Sequence, residues 1–366
     1  MSSSDFSRAD VERAARYHRP LYAGTAAAFG LTAGVYAALA WSPSGSDLWR
    51  LVDGLGWAGS AAAWAALVVG VTEGVQLPVS WWRGLAHERR WGFSTQSTPG
   101  WLLDRLKGLA VALAVTAAAW TAVVGLARAF PGWWPAAAAV VLAGGVLLLS
   151  YVAPVVLEPI FNRFAPLDDE QLGADLRALG EAAGVPVRDV LVADTSRRTT
   201  KVNAYVSGFG ATCRIVLSDT LLVAAGAPEV KLIVAHELGH RRDRHVVKGT
   251  VLAMTGAAVC VVVVWALLGT RVALPRELPV VLLVFTLLEL AGLAPAATLS
   301  RRWERAADRC SLELTGDVDA FERAHVELAR KNLADLAPPR LAYVLLFSHP
   351  TPPERLALGR AWAAAP

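Results

Sequence analysis

Long apolar blocks alternate along this chain with short charged segments. Six blocks, at 21–41, 57–79, 108–127, 134–157, 246–268 and 278–299, stand out. Each holds about twenty apolar residues, the length an α-helix needs to cross a hydrocarbon core of about 30 Å. Trp41, Trp57, Trp81, Trp82, Trp133 and Trp134 fall at block ends, as interfacial anchors do. Positive charge is uneven among the connecting segments. Arg8, Arg13, Arg16 and Arg19 precede the first block, and Arg83, Arg89, Arg90, Arg105 and Lys107 come after the second. Only Arg50 comes after the first block and Arg128 after the third. The excess of Lys and Arg is expected in the cytoplasm, and an even number of spans returns the C-terminus there.

Two hydrophilic stretches then share the cytoplasmic side, 159–245 between the fourth and fifth spans and 300–366 after the sixth. The expected division is a cytoplasmic segment 1–20, four spans with their loops over 21–158, a cytoplasmic region 159–245, two spans over 246–299 and a cytoplasmic part 300–366. Asp168, Asp169 and Glu170 open a helical pattern that runs to Ala183, acidic at its start as the helix dipole prefers. Segments 189–193, 203–206 and 214–217 read as short strands of a small β-sheet, with a turn at 207–210. Pro228 suits the first turn of a further helix, which is expected to run on towards the fifth span. The fold class is mainly α: a polytopic membrane bundle with a cytoplasmic domain containing a small sheet.

Composition agrees with a membrane protein. The chain is 55% hydrophobic and 18% charged, with a mean hydropathy of +0.42, far from the balance of a soluble domain. The net charge of +4 is small, and no basic patch interleaved with aromatics suggests nucleic acid as a partner. The first twenty residues hold no apolar stretch, so no cleaved signal is expected there. Cys213, Cys260 and Cys310 have no metal-binding spacing, and their odd count argues against a disulfide framework.

The chemistry is concentrated in His236-Glu237-Leu238-Gly239-His240. Residues four apart share a helix face, so both imidazoles point the same way and can take two positions around a tetrahedral zinc. Glu237 lies about a quarter-turn round, within reach of a metal-bound water. A catalytic zinc needs a third protein ligand and one open position. The candidate is Glu304, just past the sixth span, with Asp308 four residues on and able to accept a hydrogen bond from a ligand imidazole. The same two carboxylates can instead form a ladder with neighbouring arginines on a solvated helix face. His349, in a proline-held loop with Arg355 after it, reads either as a stabiliser of a developing oxyanion or as a plain turn, and His349 or Arg355 is expected to assist the attack on the carbonyl. His245 is turned roughly 140° from the ligand face and is expected at a helix end or behind a ligand. His18, His87 and His325 lie in charged segments and are expected at the surface.

In this order the motifs resemble the integral-membrane zinc metalloprotease type of CAAX prenyl protease, in a bacterial member. The resemblance takes in His236 to His240 with His245 and Lys248. It extends to Ser300, Arg301, Glu304, Ala307 and Asp308, and to Ser348-His349-Pro350 with Arg355. Asn203-Ala204-Tyr205 with Gly208, the stretch 159–167, and Glu88, Gly92-Phe93, Gln96 and Asp104 belong to it too.

The resemblance implies helices ringing a water-filled chamber, with a gluzincin-like zinc domain closing its cytoplasmic end and Glu73 and Glu289 suited to the wall. It implies one zinc per chain, held by His236, His240 and Glu304, with Glu237 as general base. It also implies that the strand at Asn203 and Ala204 pairs with substrate backbone. Eukaryotic members carry seven spans against six here. The one lacking is expected to be the first, because the Arg16-Tyr17-His18 region resembles the segment just after the first span of those members.

The expected activity is that of a zinc endopeptidase in the cell (inner) membrane with its site facing the cytoplasm. Its substrates are peptides or membrane proteins, with or without a prenyl group. The alternatives are a heat-shock-type membrane metalloprotease that degrades misfolded membrane proteins, and a non-catalytic membrane protein with a structural zinc. Four spans ahead of the histidines favour the CAAX type over the first. A structural site would need a fourth protein ligand where Glu237 stands, against the second.

Overall fold

The computed structural model describes residues 5–208 and 212–364. The membrane part opens with α1 (Arg8–Trp41), started by a capping box in which Ser7 Oγ accepts from the Asp10 N–H and Asp10 accepts from the Ser7 N–H. A short α2 (Pro43–Arg50) leads to α3 (Gly56–Trp81). A π-helical turn at Trp82–Ala86 joins α3 to the four-residue α4 (His87–Arg90). Next come α5 (Thr98–Ala129) and α6 (Trp134–Val152), which runs through a second π-helical turn, Ala153–Leu157, into α7 (Glu158–Phe161). Two further long helices, α11 (His245–Leu268) and α12 (Leu278–Thr315), lie beyond the first hydrophilic stretch. Six helical stretches are long and apolar enough to cross a membrane, as the sequence pattern predicts.

The spans are tied together at one end. Trp64 and Val68 of α3, Trp120 and Val124 of α5, Trp134 of α6, Val264 of α11 and Leu278 of α12 form a buried cluster beside the loops that join these helices. Val140 and Leu148 of α6 and Val251 and Val262 of α11 face outward, as lipid contact requires. Towards the other end the contacts between spans become polar. Glu73 pairs with Arg105, Gln76 Nε2 donates to the Ala28 carbonyl at 2.7 Å, and Arg83 donates to Thr25 Oγ1 at 2.9 Å. Glu289 is exposed on α12.

The hydrophilic part holds a four-stranded sheet of β1 (Phe164–Pro166), β2 (Asp189–Ala193), β3 (Ala204–Ser207) and β4 (Arg214–Ser218), in the order β1-β2-β4-β3. β2 and β4 run parallel and the outer pairs antiparallel. Three strands fall within a residue of their expected places. β1 was not expected: three residues ending in proline carry no alternation to read. Of the expected turn, Phe209 and Gly210 lie outside the described residues. α8 (Glu170–Ala182), capped by Asp169, packs Leu172 and Leu176 into a core with Ile215, Leu217, Val234 and Leu238.

A short α9 (Asp219–Ala224) precedes α10 (Ala227–Arg242), which has Pro228 in its first turn. The expectation that α10 runs on towards the fifth span does not hold. Arg244 takes a left-handed φ of 56° and the chain restarts as α11 at His245. No glycine or proline marks this break in the sequence. α12, by contrast, continues from the membrane to Thr315, and α13 (Val318–Lys331), α14 (Arg340–Leu346) and α15 (Pro352–Ala363) fold back against α10 and α12.

Candidate active site

The site forms where α10 crosses α12. Gly239 makes the crossing close: a Cβ there would stand 2.9 Å from Cys310 Cβ and 3.1 Å from Ala307 Cα. Only a residue without a side chain permits that approach. The contact sets Glu304 and Asp308, each a turn apart on α12, against the histidines of α10.

His236 Nε2 and His240 Nε2 are 3.2 Å apart. Each lies 3.3 Å from a different oxygen of Glu304. One ligand atom from each of the three residues falls within 4.8 Å of the others. Two imidazole nitrogens and a carboxylate oxygen are a donor set that suits zinc, so the residues fit the metal the motif implies. His236 turns its other nitrogen to Asp308 Oδ1 at 2.9 Å, the kind of contact that fixes a ligand imidazole. Burial works against the His236 imidazolium, but Asp308 and Glu304 prevail and raise its pKa to about 9. His245 approaches His240, Nδ1 to Nδ1, at 3.0 Å and stacks on Trp303 with ring centroids 5.0 Å apart.

Glu237 opens onto a cavity of about 530 Å³ that it lines together with His236, Asn203, Ala204, His349 and Arg355. Burial pushes its carboxyl above the usual range, and the imidazoles of His236 and His240 offset this only in part. A carboxylate with a raised pKa beside two imidazoles is placed to take and return a proton. His349 is exposed, its Nε2 3.3 Å from Glu304 Oε1 and its Nδ1 2.7 Å from Ser348 Oγ. Arg355 is held inside, paired with Glu304 and with its Nε 3.4 Å from Asp308 Oδ2. Six of the nine residues singled out from the sequence line this cavity, and His240, Glu304 and Asp308 stand directly behind them against His236, His349 and Arg355.

The surface expectation for three histidines is overturned. His325 is buried on α13 beside Phe321, with Nε2 3.0 Å from Arg355 Nη1. His87 is buried against Tyr17 with ring centroids 5.0 Å apart, and His18 is half-buried with Nε2 2.7 Å from the Leu333 carbonyl. Charged neighbours suggested solvent, but each imidazole is covered by a partner: Tyr17 for His87, the Leu333 carbonyl for His18 and Phe321 for His325. Sequence reasoning also gave Arg301 no role. Buried at the foot of the site, it donates to the Tyr343 and Phe347 carbonyls at 3.0 and 2.6 Å and so holds the loop that carries His349. A lone arginine among several gave no signal for this. His325 did, since it lies one and four residues from Ala324 and Phe321, on the apolar stripe of α13.

A helical membrane bundle that carries a His-His-Glu cluster beside a half-buried glutamate defines a membrane-embedded metalloprotease. Residues 166–363 match peptidase family M48, and residues 9–163 match the family described as CAAX prenyl protease N-terminal, five membrane helices. The chain belongs to peptidase family M48. Four of its six candidate spans fall within 9–163, one fewer than that description.

The chain is similar to an uncharacterized metalloprotease of Bacillus subtilis, at 29% identity over 78% of this chain and 70% of that protein. It is also similar to CAAX prenyl protease 1 of Saccharomyces cerevisiae, at 28% identity over 77% and 68%. The crystal structure of S. mikatae Ste24p shares the fold, with a TM-score of 0.83 and 23% identity over 97% of this chain and 90% of that one.

Proposed function

We propose that this protein is a zinc-dependent endopeptidase of the cell (inner) membrane that cleaves peptides or membrane proteins of the CAAX type at a site facing the cytoplasm. The observation that carries this reading is the meeting of His236, His240 and Glu304 at one end of the cavity that Glu237 lines. The match over 9–163 favours the CAAX type over a heat-shock-type protease. The basic N-terminal segment and the basic loop after the second span support the orientation.

One zinc per chain, held by His236, His240 and Glu304, would polarise the scissile carbonyl and acidify a water. Glu237 removes the proton from the attacking water and delivers it to the leaving amine. Asp308 orients His236, and Arg355 holds Glu304 in place. His349 is exposed at the cavity edge, where it can donate to the oxyanion that develops at the attacked carbonyl.

β3 offers the substrate an edge. The Asn203 carbonyl accepts from the Ser218 N–H at 2.9 Å, so Asn203 faces β4 and Ala204, one residue on, directs its N–H and carbonyl outward. Val206 has the same parity, but its carbonyl is taken by Arg241 at 2.7 Å. Backbone pairing with substrate is therefore concentrated at Ala204.

The test is cleavage of a farnesylated CAAX peptide by zinc-loaded protein in detergent, beside Glu237→Gln. Wild-type cleavage that falls by about 10²-fold or more in the variant, with zinc retained, is expected. Zinc lost along with activity would give Glu237 another role, and cleavage of unprenylated peptides alone would remove the prenyl preference.

A further inference from the structure

His325 has no part in the chemistry described above, yet its surroundings fix its state. Its Nδ1 is 2.9 Å from the Phe321 carbonyl, which only accepts, so Nδ1 carries the proton. Its Nε2 lies 3.0 Å from Arg355 Nη1 and 3.7 Å from Asp308 Oδ1; the guanidinium is the nearer partner and only donates, so Nε2 presents its lone pair to it. Both partners are satisfied together only by the neutral Nδ1–H tautomer. Burial favours the same state, pushing the imidazole below its ordinary pKa against the opposing pull of Asp308.

The guanidinium of Arg355 is held on three sides. One nitrogen meets Glu304, Nε faces Asp308 at 3.4 Å, and Nη1 meets His325. The two carboxylates belong to the metal site and both lie on α12. Of these three partners His325 alone is neutral and alone lies on α13, so it sets the rotation of the fork about the other two. Without an acceptor there, Nη1 becomes a buried donor with no partner, and the fork must turn to satisfy it.

We propose that His325 is a positioning residue: as a neutral acceptor it orients Arg355, which in turn holds Glu304 and Asp308 for metal binding and catalysis. This rests on the reading of Glu304 as a ligand.

Three substitutions separate orientation of Arg355 from packing. Gln places an acceptor near the position of Nε2. Asn keeps a donor near Nδ1 for the Phe321 carbonyl but does not reach Arg355. Leu removes both. In the full-length protein in detergent, zinc release to a chelator and the kcat and KM for a farnesylated CAAX peptide are measured.

His325→Asn and His325→Leu are expected to release zinc faster and to lose about 10-fold or more in kcat, with KM little changed. His325→Gln is expected to stay within about threefold of wild type in both readouts. Gln and Asn variants that behave alike, or an Asn variant closer to wild type, would overturn the proposal. That order decides even if the Leu variant does not fold. A wild type that binds no zinc, or a Glu304→Ala variant that keeps it, would instead remove the metal-site reading beneath it.

Discussion

Glu304 is the residue on which the proposed metal site turns. His236 and His240 are legible as a pair from their spacing alone, because four residues apart on a helix means one face. Glu304 is sixty-four residues from His240, and only the crossing of two helices brings its oxygens to 3.3 Å from both imidazoles. The sequence pattern leaves a surface ladder open for it. In the fold Glu304 and Asp308 are buried and turned to His236 and Arg355 rather than to solvent. His325 reads as a surface residue because the charges of α13 hide how much of its apolar stripe is alanine. Glu304→Ala is expected to lower the zinc content of purified protein to well under one per chain while the protein still folds. Elemental analysis beside thermal unfolding reads both, and full occupancy would take Glu304 out of the ligand set.

At the scale of elements, apolar length and turn chemistry are readable. The spans, the strands at 189–193 and 214–217, and the start of α10 at Pro228 come from local pattern. The stop of α10 before α11 is not readable, because Arg244 adopts its left-handed φ with no glycine to announce it. Nor does the sequence say which helices cross closely. Gly239 reads only as part of a metal motif until Cys310 and Ala307 are seen against it. Gly239→Val places new atoms where 2.9 Å separates the Cβ position from Cys310 Cβ. Overpacking of this kind costs about 1–3 kcal/mol, against a helix-propensity gain of only a few tenths. The variant is expected to melt at lower temperature and bind zinc more weakly. An unchanged melting temperature and zinc content would mean that α10 and α12 separate at no cost.

At the scale of the whole molecule, the bundle is closed by apolar packing at one end and carries the protease site at the other. That polarity is not written in any one span; it comes from which thirds of the six helices meet. Loop charge supports the proposed orientation, with the site end in the cytoplasm. With the native cysteines replaced by alanine, Gly132→Cys lies in a loop at the closed end, and Val223→Cys lies at a residue 91% exposed in the protease domain. A membrane-impermeant maleimide is expected to label position 132 in intact cells and position 223 only after lysis. The reverse pattern would turn the protein over in the membrane.

In the proposed function, zinc at His236, His240 and Glu304 drives peptide hydrolysis. This is tested most directly by stripping the purified protein with a chelator, counting the metal and restoring it. One zinc per chain before stripping, loss of cleavage with its removal, and recovery as zinc returns to one per chain are expected. Undiminished cleavage by protein shown to contain no metal would contradict it.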